Sequence, residues 1–309
     1  MADSQLIINQ PLATILDIIG DRWNLLILRD AFVGRTRYEQ FRQHTGASRS
    51  ILSQRLDRLV MADLLYKRPY GSSENRFEYR LTSKGMTLFG CALLAWQWER
   101  DWAGHQDLPG NLHHTLCNHG LVSKAHCRAC HQELKLGDVR WPNPQAHMQF
   151  SQIRSLSGQR QGRNSSMAKD LALATVSNLV GDRWNLLILI AAFFGVKQHD
   201  EFHKQLGIAT NILSQRLTQL VDNDILQREP YQDNPPRHHY ALTEKGQSLY
   251  ALVMTLRQWA NAKLPATEQA ASLVHFPCGH DLVIDVVCDH CGQKPWPTDV
   301  VTVDTTAKR

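Results

Sequence analysis

Apolar residues recur at helical spacing along the first third of the chain. Leu12, Ile15, Leu16 and Ile19 form one stripe; after Gly20, Trp23, Leu26, Ile27 and Phe32 form a second, which Gly34 ends. A short helix around Tyr38 to His44 turns Phe41 inward, and a turn follows at Thr45-Gly46-Ala47. Over the next segment Ile51, Leu52, Leu56, Leu59 and Val60 share a buried face, whereas Ser50, Ser53, Gln54 and Asp57 share the opposite one. A helix, a glycine-containing turn and a second helix with a polar outer face make a helix-turn-helix. Leu65 to Pro69 and Phe77 to Leu81 read as two strands around the polar loop Tyr70 to Asn75, a small hairpin or wing. Thr82 reads as the N-cap of a helix running to about Trp102. The pattern predicts a mainly α protein with small β-wings, an α+β class.

That last helix is apolar on two faces. Leu88, Cys91, Ala92, Ala95 and Trp102 lie on one, and Met86, Phe89, Leu93 and Trp96 on the other. One face covers its own domain; the second needs a partner, for which the simplest candidate is an equivalent helix in the same chain. Trp96, Trp98 and Trp102 either pack in such a helix pair or line a cavity beside it.

An equivalent helix exists because the pattern is written twice. Gly-Asp-Arg-Trp-Asn-Leu-Leu-Ile-Leu occupies Gly20 to Leu28 and again Gly181 to Leu189, and the offset of 161 holds for more than a hundred positions. A repeat of that length is a duplicated domain rather than a solenoid unit. The expected organisation is a winged helix-turn-helix domain over 8–104, a Cys/His module over 111–140, a flexible linker over 141–168 rich in Pro, Gln, Ser and Gly, a second winged domain over 169–265 and a second Cys/His module over 272–297.

The 309 residues, 43% hydrophobic and 20% charged, are ordinary for globular domains with cores. The longest apolar run, Leu186 to Val196, is shorter than the roughly 18 residues of a membrane span. The start, Met-Ala-Asp-Ser-Gln, has no signal-peptide character, so a cytoplasmic protein with no membrane partner is expected. The net charge of +5 is weak evidence for nucleic acid, because 111–167 alone carries seven Lys/Arg against two Asp/Glu. An argument for DNA must rest on where charges fall within the fold.

Six of the seven cysteines form two matching clusters. Cys117-x-His119, seven residues, then Cys127-x-x-Cys130 is repeated as Cys278-x-His280, seven residues, then Cys288-x-x-Cys291. Two close pairs of soft or borderline ligands suit tetrahedral Zn²⁺, and four protein ligands leave no open position for catalytic water. One structural zinc site per copy is therefore expected, with free buried thiols or a redox- or metal-responsive switch as the alternatives. The neighbouring His113, His114, His126, His131, His275 and His290 are possible substitutes; only His126 and His290 lie between matched ligands, and since these two do not align with each other they are read as bystanders.

The ordered set of motifs resembles the HxlR family of bacterial transcription regulators, winged-helix proteins related in fold to MarR regulators. The residues that carry the resemblance are Gly20 to Leu28, Gly34, Phe41, Ser53 to Leu56, Leu59, Pro69-Tyr70, Arg76, Tyr79, Leu81-Thr82 and Lys84-Gly85, with Pro235-Pro236-Arg237 and Tyr240 to Thr243 in copy two. The resemblance implies homodimer-like action on double-stranded DNA, here by two fused subunits forming an intramolecular pseudo-dimer on two half-sites. Some members sense electrophiles through a cysteine before the first helix; Gln10 and Leu171 stand at those positions.

DNA recognition by such a fold places a helix N-terminus in the major groove with cations around it. In copy one Ser48, Arg49, Ser50, Ser53 and Gln54 are the candidates; in copy two they are Thr210, Asn211, Ser214 and Gln215, behind Ala209. Arg55 and Arg216 either bind phosphate or pair with an acidic neighbour inside the fold. Arg58 and Arg68 add positive charge in copy one, and Arg76 and Arg237 are the wing candidates. Copy two replaces Arg49, Arg58 and Arg68 by Thr210, Gln219 and Glu229, so the two halves need not read the same sequence. The expected function is a sequence-specific transcriptional regulator acting as a repressor, not an enzyme, with a small-molecule effector of unidentified chemistry as a further partner. The rival reading is a zinc-containing protein-interaction module that keeps the fold without binding DNA.

Overall fold

The computed structural model describes residues 21–71, 76–102, 112–140, 174–234, 236–263 and 272–303. The stripe expected over 12–19 and the linker expected over 141–168 lie outside these residues. Copy one contains helices α1 (Arg22–Phe32), α2 (Tyr38–Thr45) and α3 (Arg49–Met61), strands β1 (Leu65–Pro69) and β2 (Phe77–Leu81), helices α4 (Ser83–Met86) and α5 (Phe89–Trp102), and strands β3 (Leu112–His114), β4 (His119–Gly120), β5 (Ser123–Cys127) and β6 (Val139–Arg140). Copy two repeats the order after an opening helix: α6 (Ala174–Val180), α7 (Arg183–Phe193), α8 (His199–Leu206), α9 (Thr210–Asp222), β7 (Leu226–Asp233), β8 (Pro236–Leu242), α10 (Glu244–Ser248), α11 (Tyr250–Asn261), β9 (Val274–His275), β10 (His280–Asp281), β11 (Ile284–Cys288) and β12 (Val300–Thr302). Among the described residues no helix is long and apolar enough to cross a membrane.

Local chemistry sets these boundaries. Asp21 and Asp182 cap α1 and α7, accepting hydrogen bonds from the Trp23 and Trp184 amides at 2.8 and 2.9 Å. The turn between α2 and α3 needs a left-handed residue, supplied by Gly46 at φ 68° and in copy two by Gly207 at φ 58°. Ser48 caps α3, whereas Ala209 offers α9 no side-chain cap. Phe41, Leu52, Leu56 and Leu59, with Phe202, Leu213, Leu217 and Leu220 in copy two, are buried as the periodicity predicts. Trp23 and Trp184 are only half-buried, less enclosed than their helical context suggested. The wing hairpins pair antiparallel, Leu65 opposite Leu81 and Leu226 opposite Leu242, and the second carries a bulge between Pro230 and Gln232.

The described residues divide into two compact units, each drawn from both copies. One takes its residues from Asp17–Lys124, Gly162–Gly181 and Asp285–Arg309; the other takes them from Ala125–Gln161 and Asp182–Ile284. In the first, β12 of copy two pairs with β3 of copy one, which pairs with β4. In the second, β6 of copy one pairs with β9 of copy two, which pairs with β10. The edge strands are thus exchanged reciprocally. The opening helix of copy two, α6, packs on α1 and α5 in the first unit. There the buried Glu99 carboxylate accepts from the Thr175 and Val176 amides at 3.1 and 2.9 Å, capping α6 from a different copy. Gly90 lets Val286 approach so closely that an added Cβ would sit 3.0 Å from its Cγ2. Copy-two segments therefore pack against α5 in the first unit.

Gly85 and Gly246 are fixed by steric crowding: a Cβ at either would clash with the carbonyl oxygen of Leu64 or Ile225. Gly85→Ala is expected to lose more than about 2 kcal/mol by overpacking, whereas Ala209→Ser, which restores a cap, should gain roughly 1 kcal/mol. Urea denaturation of the intact chain measures both.

Candidate nucleic-acid interface and metal centre

The exposed face of each recognition helix is polar, as its sequence predicts. Ser48, Arg49, Ser50, Ser53 and Gln54 are exposed in copy one, and Thr210, Asn211, Ser214 and Gln215 in copy two. The Ser48 hydroxyl accepts from the Ile51 amide at 3.4 Å, so it also shapes the helix start. The Tyr38 hydroxyl donates to the Arg49 carbonyl at 2.9 Å and lies 3.1 Å from Ser53 Oγ. Its counterpart His199 places Nε2 3.2 Å from Ser214 Oγ. The helix preceding each recognition helix thereby holds one of its outward side chains.

The arginines separate into two groups. Arg49, Arg68, Arg76 and Arg237 are exposed, and Arg58 is half-buried. Arg68 and Arg80 both reach Glu78, at 3.6 and 3.0 Å, and the Arg80 guanidinium bonded to Glu78 holds that carboxyl below the usual carboxylate range. Part of the wing's positive charge is thus compensated. Arg55 and Arg216 are different. Their guanidiniums pair with the N-cap carboxylates Asp21 and Asp182 at 2.6 and 3.0 Å, largely screened from solvent. Of the two roles open to them, the pair with an acidic neighbour inside the fold is present in the structure. The cause is geometric: a capping carboxylate at the start of α1 or α7 faces the inner edge of the recognition helix and needs a cation there.

The cysteines assemble in a way the sequence reading did not anticipate. His114, Cys117, Cys288 and Cys291 bring their ligand atoms within 4.8 Å of one another, and so do Cys127, Cys130, His275 and Cys278. Each tetrad lies inside one unit and takes a pair of ligands from each copy. Expected sites confined to one copy are therefore corrected to sites shared between copies. His119 and His280 are also replaced as ligands. His119 lies in β4 opposite His114, exposed, with its Nδ1 2.6 Å from the Cys117 carbonyl and its ring stacked on His290 at 3.4 Å. His280 occupies the matching exposed position opposite His275 in β10.

Four tight turns explain the choice. His114-x-x-Cys117, His275-x-x-Cys278, Cys127-x-x-Cys130 and Cys288-x-x-Cys291 share one ligand spacing, and each turn is closed by a backbone bond such as Asn118 N to His114 O at 2.9 Å or Gly292 N to Cys288 O at 2.8 Å. The residue after each turn is left-handed: Asn118, His131, Gly279 and Gly292 have φ of 56°, 60°, 71° and 70°. A ligand two residues beyond the cysteine instead enters the next strand and points away. Burial raises the Cys127 thiol, but amides of Cys130 and Ala129 donated to its sulfur outweigh this and hold it below its ordinary value.

The separations test the fit. A tetrahedral ion with metal–sulfur bonds of about 2.3 Å and a metal–nitrogen bond of about 2.0 Å gives ligand–ligand edges of roughly 3.5–3.8 Å. His114 Nδ1 lies 3.4 and 3.5 Å from the Cys117 and Cys291 sulfurs, and Cys117 Sγ lies 3.9 Å from Cys288 Sγ. In the other tetrad His275 Nδ1 lies 3.2 and 3.4 Å from Cys278 and Cys130, and Cys127 lies 3.9 Å from Cys278. Both sets could hold a metal ion through three sulfurs and one Nδ1. The seventh cysteine, Cys91, is buried in α5, and burial pushes its thiol up to about 12. It is a core residue rather than a reactive thiol.

A family profile described as HxlR-like helix-turn-helix matches residues 18–107 and again 179–268. An uncharacterised HTH-type transcriptional regulator of Mycobacterium tuberculosis is 43% identical over 117 residues, covering 38% of this chain and 74% of the relative. The HTH-type transcriptional regulator YodB of Bacillus subtilis is 34% identical over 85 residues, covering 27% of this chain and 76% of the relative. The crystal structure of diamide-treated YodB covers 34% of this chain and 99% of its own, at 28% identity and a TM-score of 0.27.

Arg55→Ala and Arg216→Ala should each lower stability by roughly 3 kcal/mol, because each strands a screened carboxylate. Chemical denaturation reads this directly. Unchanged midpoints with weaker DNA binding would return these arginines to the phosphate-contacting set.

Proposed function

The chain belongs to the HxlR-like helix-turn-helix family, and we propose that it is a sequence-specific DNA-binding transcriptional regulator that represses by acting as a fused pseudo-dimer on two half-sites. The family is one of transcription regulators, not of enzymes. The observation that carries the reading is the pair of exposed, polar recognition-helix faces, each held by a buried stripe and backed by a wing. Side chains at the N-terminal turns of α3 and α9 meet base edges in the major groove, while exposed wing arginines meet phosphate or the minor groove. Arg49 suits guanine, and Asn211, Gln54 and Gln215 suit adenine. The winged domains of 8–104 and 169–265 bring unequal cation sets, so the operator is an imperfect palindrome.

In this reading Zn²⁺ fills both tetrads and supplies a fixed tetrahedral cross-link, with no coordination position left for a substrate. The residues do the rest: the four turns present their ligands, and the exchanged strands β12 and β6 hold the turns in register.

Mobility shift of the promoter regions flanking the chain's own gene should show binding that weakens steeply with salt. Replacing Arg49 and Arg76 by Ala should weaken it more than replacing Thr210 and Arg237. Equal losses from the two copies refute the asymmetry, and the absence of any salt-dependent shift favours a protein-interaction module. Metal analysis should find two zinc ions per chain. Cys117→Ser with Cys288→Ser should leave one, whereas Cys117→Ser with Cys127→Ser should leave none; sites confined to single copies would reverse those two results.

A further inference from the structure

The wings of the two copies carry the same cross-strand pair with its charges reversed. In copy one Arg68 of β1 stands opposite Glu78 of β2, and the two side chains approach to 3.6 Å. At the matching positions, 161 residues on, Glu229 of β7 stands opposite His239 of β8. Directly opposed residues have Cβ atoms about 5 Å apart, close enough for opposite charges to interact. Acid and base have exchanged strands, and the base is now a histidine. Arginine is charged at every working pH, whereas histidine changes charge between about pH 5 and 8. An ion pair at this place is permanent in one wing and needs a proton in the other.

The surroundings of His239 suit either charge state. The half-buried ring stacks on Tyr231, the residue that the bulge adds to β7, with centroids 4.2 Å apart and planes at 20°. Its Nε2 lies 3.3 Å from the side-chain nitrogen of Gln198, just before α8. The Gln198 amide donates to a neutral ring, and half a turn presents its carbonyl oxygen to a protonated one. Beyond Gln198, Glu201 accepts from that residue's backbone amide at 3.2 Å. Glu229, the acid directly across the ladder, is exposed and accepts from the Gln227 side chain at 2.9 Å. Of the other helices packed on β8, α7 carries no charged residue from Trp184 to Phe193, and α10, which follows Leu242, brings Glu244 and Lys245.

The charge balance of the two wings differs in the same sense. Strands β1 and β2 carry three Lys/Arg against one Glu. Strands β7 and β8 carry Arg228 and Arg237 against Glu229 and Asp233, with His238 and His239 besides. With neutral histidines the second wing has no net charge to offer a phosphate backbone. Each added proton makes it net positive. Copy one has Phe77 and Glu78 at the two histidine positions, so its wing has no counterpart.

We propose that His239, facing Glu229, is a proton switch on the second wing, so that copy two holds its half-site more tightly as pH falls through the range in which histidine titrates. The inference rests on the DNA-binding function proposed above and adds a regulation to it. A neutral ring leaves the Glu229 carboxylate uncompensated on the wing, where it repels phosphate. A protonated ring neutralises that carboxylate and keeps its place between Tyr231 and Gln198. The exposed Arg237 in the same strand then meets the backbone without an opposing charge. The first wing is built on arginine and lysine and does not follow pH, so the proton sets how firmly the second half-site is held beside the first.

Fluorescence anisotropy of the full chain on the promoter DNA flanking its own gene, with an unrelated duplex beside it, tests the switch. Between about pH 8 and pH 6 binding should tighten by roughly fivefold or more in about 0.1 M salt, and the slope of log K against log salt should steepen by about one. His239→Gln should lose that gain at an unchanged melting temperature. His239→Lys should bind at the higher pH as the unaltered chain does at the lower, and Glu229→Gln should tighten binding at the higher pH. A full gain in His239→Gln overturns the switch. Loss of the gain in His199→Gln instead, where the ring lies against Ser214 of the recognition helix, overturns its place on the wing. Binding that does not change with pH overturns the switch alone, whereas no binding to either duplex at either pH overturns the DNA-binding reading with it.

Discussion

Both helix-turn-helix halves depend on a carboxylate that does two jobs. Asp21 and Asp182 each terminate a helix and neutralise an arginine on the recognition helix. A capping carboxylate at this depth is costly unless a cation meets it, and the arginine is equally costly without the carboxylate. The pair therefore fixes the angle at which the recognition helix leaves the core. It also explains why Gly-Asp-Arg-Trp is kept word for word in two copies that have diverged elsewhere: Asp21 cannot change unless Arg55 changes with it.

The remainder of each unit is assembled by exchange. A strand, a pair of ligands and, in the first unit, an opening helix come from the other copy. Glu99 shows how far the two copies have specialised for this. It caps α6 from within a buried helix, and the equivalent position in copy two is the buried Ala260. A carboxylate is present where it caps a neighbouring helix and replaced by a methyl group elsewhere.

Much of this was legible in the sequence because periodicity reports burial directly. The stripe of Leu52, Leu56 and Leu59, the polar face of Ser50, Ser53 and Gln54, and the wing strands all fall where the alternation places them. The metal set was half legible. His114 and His275 lie three residues before a cysteine and match at the 161 offset, the same spacing as Cys127 to Cys130, which was the signal that should have outweighed the nearer His119 and His280. The sharing of ligands between copies was not legible. Each copy carries a chemically sufficient set, and nothing in local spacing distinguishes closure within a copy from closure across copies. Only the pairing of β12 with β3 and of β6 with β9 decides it.

The two tetrads are nested along the chain. Cys117 meets Cys288 across 171 residues, and Cys127 meets Cys278 across 151 residues that lie wholly inside that span. Once an ion ties the outer pair, the inner pair is separated by ten residues on either side instead of the whole intervening chain. Loop-closure entropy grows with the logarithm of length, so the second closure is easier than the first by roughly 2 kcal/mol. If each tetrad holds an ion, as proposed, filling one would therefore ease closure of the other, and the order of the ligands along the chain alone would favour joint occupancy.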